Sequence, residues 1–297
     1  MVLRNASKRA VGGGLPGAAA GLIQVLTLMW LRTTMNYQYR YGTDTMTALR
    51  TLYSQGGVGR FYKGVEFAVI QGPLARFGST AANDGVNALI AALNEAKYIK
   101  NWGPGRATAI ASVFVGLWRM FLMPIDTCKT VLQVDSTVGF RNMMRKVKSG
   151  KLSVLYQGSL ANALGAIVGH YPWFYMYNTM TKSPVLKRLK NKLVRNAFIG
   201  FASSAVSDAI SNSIKVVKTT KQAAASKQTV GYRETIGMIL AADGWKGLLG
   251  RGLATRIFAN GLQSIVFTIC WTGLKDLVEG GGKAEKKTEE EDVVANA

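Results

Sequence analysis

Gln24, Arg32, Arg119, His170, Asp208 and Arg256 each lie inside a long, otherwise apolar stretch of this 297-residue chain. Ionisable groups placed in that way pair between helices, bind ions or line a wet passage, because helices that face only lipid exclude them. Bond-making chemistry is not indicated. His170 is the lone histidine, which excludes a histidine-rich zinc site, and Cys128 and Cys270 are the only cysteines, each in an apolar segment. There is therefore no disulfide framework or metal-ligand spacing. No nucleophile–base set or phosphate-binding glycine loop is present, so the sequence reads as neither an enzyme nor a cofactor protein.

The elements that must position these groups are six apolar segments near membrane-spanning length of about 20 residues, at about 12–35, 64–92, 106–132, 158–181, 196–220 and 252–277. Their polar insertions account for a mean hydropathy of only +0.11. A soluble bundle of amphipathic helices is the alternative, but most of the charge falls in the loops. The net charge is +21, and the tail from Glu279 to Ala297 holds six of the 16 acids and only three of the 37 bases, so the body is still more basic. No nucleic-acid motif accompanies that charge, which leaves anionic lipid headgroups or an anionic solute as the fitting partners. The loops 36–63, 130–157 and 219–251 are basic, but so is 182–195, and charge alone leaves the orientation open. Arg4, Lys8 and Arg9 make a basic N-terminus too short and mixed to read as a presequence.

The chain repeats. Phe61-Tyr62-Lys63-Gly64 returns as Leu155-Tyr156-Gln157-Gly158 and again as Leu249-Gly250-Arg251-Gly252, each glycine 94 residues after the last. A fixed period of this length marks one duplicated structural unit. Each unit reads as span, basic loop with a short helix, then span; the loop helices are expected at 43–55, 137–149 and 232–242. Glycine turns at Gly56, Gly150 and Gly244 end them. Small residues four apart, Gly17 and Gly21, Ser112 and Gly116, Gly200 and Ser204, suit close helix approach in lipid. The units are placed at 1–103, 104–191 and 192–279, with 280–297 a disordered charged tail.

The middle unit carries Pro124-Ile125-Asp126-Thr127-Cys128-Lys129, followed by Gln133. Proline kinks a helix, and Asp126 and Lys129 share one face. With the period and the repeated turns, this motif resembles the mitochondrial carrier family, whose threefold signature is Pro-x-Asp/Glu-x-x-Lys/Arg; the resemblance covers about 10–278. It implies an all-α membrane protein: six transmembrane helices in a pseudo-threefold barrel, with three short matrix-side helices. The protein is then a multi-pass, monomeric carrier of the mitochondrial inner membrane. Its central site opens alternately to either side, and three acid–base pairs close the matrix side. Here the positions normally acidic are Arg32, Asp126 and Lys215, and those normally basic are Met35, Lys129 and Lys218. One carboxylate among four cations cannot build three ion pairs, and an unpaired buried cation is costly. Asp126 is expected to bridge Lys218 or Lys129. At the opposite gate the corresponding residues leave one pair, Asp84 with Lys275.

The resemblance also places the substrate level. Two turns into the even helices stand Gln71, Gly165 and Ala259, next to Gly72, Ala166 and Asn260. Arg76 and His170 lie further along, and Arg256 lies one turn closer to the repeated glycine. Arg119 and Asp208 occupy equivalent places on the odd helices, suited to an interhelical bridge or a ligand. Arg256 either steadies its own helix or meets solute. The arginines outnumber Asp208, and a positive funnel favours anions. Lys63, Gly64, Gly158, Arg251 and Gly252 stand at helix starts, which suit phosphate; by resemblance their ligand is cardiolipin. Gly252-Leu253-Ala254-Thr255-Arg256 and Ala20-Gly21-Leu22-Ile23-Gln24 look like the citrate-type carriers. The expected function is antiport of a small anionic metabolite, a di- or tricarboxylate first, with no nucleic-acid partner and no cofactor. A nucleotide carrier, suggested by the small Gly165-Ala166 step, and a non-transporting membrane subunit are the alternatives.

Overall fold

The computed structural model describes residues 2–95, 104–187, 191–227, 229–263 and 266. Among these the chain is helical, with no strand. The elements are α1 (Val2–Tyr41), α2 (Thr45–Ser54), α3 (Gly57–Phe61), α4 (Val65–Glu95), α5 (Pro104–Phe121), α6 (Met123–Lys148), a 3-10 turn (Leu152–Tyr156), α7 (Ser159–Lys182), α8 (Pro184–Lys187), α9 (Lys192–Ala224) and α10 (Tyr232–Gly250). A further helix, α11, covers 253–263. The long helices pack in chain order, α1 on α4, α4 on α5, α5 on α7 and α7 on α9. The circle closes through α11: Asn260 bonds Asp208 of α9, while Gln24 of α1 donates to the Gln263 carbonyl at 2.8 Å.

The 94-residue period has a backbone cause. Gly64, Gly158 and Gly252 all take the left-handed conformation, with φ of 85°, 82° and 65°. That conformation costs other residues about 1–2 kcal/mol. Each glycine also lies against a neighbouring long helix. A Cβ on Gly64 would sit 3.0 Å from the Lys129 carbonyl oxygen, one on Gly158 3.0 Å from that of Lys218, and one on Gly252 3.4 Å from that of Met35. These three targets are the positions that the signature alignment made equivalent. The turns therefore clasp the start of α4 to α6, the start of α7 to α9 and the start of α11 to α1.

Polarity is turned inside out. Phe77, Phe114, Leu117, Phe121, Tyr171 and Phe258 are exposed, whereas Gln24, Asp126, Gln133, Asp208, Asn212 and Gln222 are buried. An exterior of large apolar side chains around a polar interior is the reverse of a soluble core and fits an all-α protein solvated by lipid. By length and hydropathy one described helical stretch, Leu152–Thr181, qualifies as a span, and α5 with α6 qualifies as a second when that pair, bent by 63°, is taken together. This is fewer than the six segments expected. The inward cations and amides of α1 and α9 dilute their hydropathy below what a simple span shows. Pro124 enters α6 in its first turn, where a missing N–H is harmless but the preceding helix must break.

The loop helices expected at 137–149 and 232–242 are present. A kink at Ser136 (φ 60°) divides α6 and leaves 137–148 as the loop helix, and a kink at Gly244 (φ 62°) divides α10 after 232–243. α2 begins at Thr45, where the Asp44 carboxylate accepts from the Thr47 amide at 3.0 Å. The Thr47 hydroxyl and amide hold that carboxyl below its ordinary value. Arg60 is buried and donates to the carbonyls of Gln133 (2.8 Å) and Val134 (2.9 Å), meeting orphan acceptors beside the kink. Burial pulls its pKa down.

Among the small-residue pairs, Gly116 packs on α7, where its Cβ would lie 3.4 Å from Ile167. Gly200 does not serve in this way, having nothing within 4 Å. α9 is rotated so that Ser207 faces α7 instead, donating to the Gly169 carbonyl at 2.6 Å.

Candidate functional site

A cavity of about 770 Å³ runs between the long helices. Of the expected substrate level, Gln71, Gly165, Ala166, His170, Arg119, Arg256, Ala259 and Asn260 all line it. Arg76 lies on α4, but its side chain is outside the described residues. The described charged lining is Arg32, Arg119, Lys129, Lys215, Lys218 and Arg256 against Asp126. Asp208 stands just behind, paired to Arg256 and Lys215.

Two carboxylate-centred triads organise these charges. Asp126, 3% exposed, accepts from Lys129 at 2.6 Å and Lys218 at 2.5 Å. Gln222 donates to the same carboxylate at 3.2 Å and to Thr127 at 3.3 Å. Where one lysine was expected to reach Asp126, both do, because α9 brings Lys218 opposite the α6 face that carries Asp126 and Lys129. Lys129 also donates to Gln71 at 3.0 Å. In the second triad Asp208 accepts from Arg256 at 2.6 Å, from Lys215 at 3.3 Å and from Asn260. Each triad holds two cations on one carboxylate and keeps one excess positive charge.

Asp208 does not meet Arg119, contrary to the bridge expected between them. α7 packs between α5 and α9, whereas α11 adjoins α9 directly, so Arg256 reaches the carboxylate first. Lys215, expected at the gate beside Asp126, is turned up to Asp208 instead. Arg32 donates to the Gln263 side chain at 2.9 Å.

Below the Asp126 triad the remaining closure is mostly neutral. Asn36 donates to Gln133 at 2.6 Å, and Thr220 donates to the Tyr39 carbonyl at 3.0 Å. Asp135 accepts from Tyr41 at 2.9 Å and Ser226 at 2.5 Å, joining α1, α6 and the end of α9. Neutral hydrogen bonds of about 0.5–1.5 kcal/mol each, with the two on the Asp135 carboxylate, join the helices at this level. Sequence reasoning did not find Asn36, Gln263 or Asp135. Their one signal was position: Tyr41 and Asp135 are 94 residues apart. Asp84, on α4, has its side chain outside the described residues, and Lys275 and the 280–297 tail lie outside them altogether.

The turn residues divide. Gly64, Gly158 and Gly252 are buried at the starts of α4, α7 and α11, and Lys63 is partly exposed beside the first. Arg251 is not available to a headgroup as expected. It is buried, bonded to Asp243 at 2.7 Å and to the carbonyls of Tyr39 and Arg40 at 3.3 Å, because α1 ends against it with unpaired carbonyls.

Residues 189–281 match the family model described as mitochondrial carrier protein, so this third of the chain is similar to that family. No curated protein matches the chain. Proteins of that family transport small solutes across the mitochondrial inner membrane.

Proposed function

We propose that the chain is a multi-pass inner-membrane antiporter of a small anionic metabolite, working by alternating access as three repeats (1–103, 104–191 and 192–279) that form a six-helix barrel. The carrying observation is the cavity, whose described lining holds six cations against one carboxylate and whose loop-helix end is tied shut by the Asp126 triad. A low-dielectric pocket with that excess attracts anions and repels cations. Gln71, Gly165, Ala166, Ala259 and Asn260 form the contact level. Arg32, Lys129, Lys215 and Lys218 supply the field at the matrix-side gate, with Asp84 and Lys275 assigned to the opposite one. Di- and tricarboxylates are favoured by that charge and by the citrate-like run Gly252–Arg256; the small Gly165-Ala166 step also leaves room for a nucleotide base. The monomer is the working unit. Cardiolipin is assigned to the turns at Lys63, Gly64, Gly158 and Gly252, whose helix N-termini offer free N–H groups.

The test is counter-exchange by the purified protein in liposomes, with labelled malonate, citrate and adenine nucleotides. Uptake that requires an internal anion supports the reading; exchange of none of them refutes it. One carboxylate, Asp126, among Arg32, Lys129, Lys215 and Lys218 at the gate positions favours a second reading, a carrier-like subunit that no longer moves solute. Stable co-purification with a membrane complex, together with no exchange, would establish it.

A further inference from the structure

The cavity's cations are not equivalent. Lys129 and Lys218 are held by Asp126, Lys215 and Arg256 by Asp208, and Arg32 by Gln263. Arg119 is different. It lines the same cavity, yet its side chain donates no hydrogen bond to any described residue, and its Nε is fully enclosed without an acceptor. Its backbone is fixed, with the Asn162 amide donating to its carbonyl at 3.3 Å. The charges of Asp126 and Arg256 lie near enough to act on it electrostatically, so it stands between the two triads. A partly buried guanidinium whose enclosed Nε lacks an acceptor is costly to fold around, and its planar fork matches a carboxylate or phosphate in two parallel bonds.

We propose that Arg119 is the primary anion subsite and that Asp208 is an internal competitor for a second subsite on Arg256 and Lys215, so that the ligand is a compact anion with at least two acidic groups. This rests on the transport reading above. One acidic group takes the vacant Arg119 fork. The other displaces Asp208 from Arg256 or Lys215, which Asp208 occupies as a ligand carboxylate would. A monoanion fills the first subsite alone and leaves the Asp208 triad closed.

The experiment is ligand-dependent thermal stabilisation of the purified full chain, with acetate, malonate, citrate and inorganic phosphate as probes. Wild type is expected to bind malonate or citrate at least tenfold more tightly than acetate. Stabilisation by phosphate alone would retain the subsite and assign a phosphate ester as its ligand. Arg119→Gln should weaken the effective probe at least tenfold while the empty protein melts no lower than wild type. Arg119→Lys, which keeps the charge but loses the fork, should fall between. Asp208→Asn should tighten binding at least threefold by removing the competitor. Equal binding by wild type and both Arg119 variants overturns the proposal, as does an empty Arg119→Gln protein that melts lower, or weaker binding by Asp208→Asn. A wild-type protein that binds no probe overturns the transport reading itself, so the two failures are distinguishable.

Discussion

Asp126 holds together more than its formal charge suggests, and Asp126→Asn measures how much. In the wild type its two oxygens face two ammonium groups, at 2.6 Å and 2.5 Å, with the lysine side chains only 15% and 17% exposed. Removing the carboxylate leaves two like charges in a small enclosed volume. Breaking a buried pair in this way costs about 3–5 kcal/mol. Because both lysines border the cavity and can swing toward its water, the lower end applies, about 3 kcal/mol. Lys218→Gln is the informative contrast, since it leaves the Asp126–Lys129 pair and the Gln222 bond in place and should cost about 1 kcal/mol. In thermal melts of the detergent-purified chain, Asp126→Asn should lower Tm by about 6–10 °C and Lys218→Gln by about 2–4 °C. In alternating access, 3 kcal/mol taken from the closed state is a roughly hundredfold shift toward the open one. Adding Lys218→Gln to Asp126→Asn should recover part of the loss, because it removes one of the two stranded charges. Equal costs for the two single variants, or additive loss in the double variant, would refute the reasoning.

Other expectations concern the frame around the gate. Gly158→Ala should cost about 2 kcal/mol or more, because its Cβ meets the Lys218 carbonyl at φ 82°, whereas Gly57→Ala, also at positive φ but in open space, should cost about 1 kcal/mol; equal melting temperatures would contradict the clasp. Arg60→Ala strands the Gln133 and Val134 carbonyls and should cost about 2–3 kcal/mol, read as a lower Tm; an unchanged Tm would show that those carbonyls have other partners. Burial, with the neighbouring Asp135 charge, raises the Tyr41 pKa above its ordinary value of 10.0. Its contribution is therefore complete below pH 10 and lost as pH rises beyond it, and the stability gap between wild type and Tyr41→Phe should shrink from pH 9 to 11. A gap that widens over that range would reverse the assignment.

What the sequence disclosed was the skeleton. The spacing of Gly64, Gly158 and Gly252 reflects a backbone conformation that few residues tolerate, so it could be read without coordinates. Placing Met35, Lys129 and Lys218 in one register needed only the signature, and the three glycine clasps fall on those same residues. Partner choice was not legible in this way. Asp208 and Arg119 are equivalent along their helices, but which cation reaches Asp208 depends on α7 separating α5 from α9, a fact of lateral packing. Arg251 reads as an exposed basic residue at a turn, yet it caps the end of α1; only the geometry of that helix end reveals the acceptors. The break between the span ending near 132 and the loop helix starting at 137 was legible, but not that Ser136 makes it at positive φ, because serine has no signal there comparable to glycine.

The most direct measurement is of access to the cavity wall from both sides. Ala166→Cys, in a chain whose Cys128 and Cys270 are replaced by serine, would be reconstituted and exposed to a membrane-impermeant thiol reagent outside or inside the vesicles. Labelling is expected from either side, with protection by an exchanged anion. Labelling from one side alone, unaffected by any anion, would contradict it.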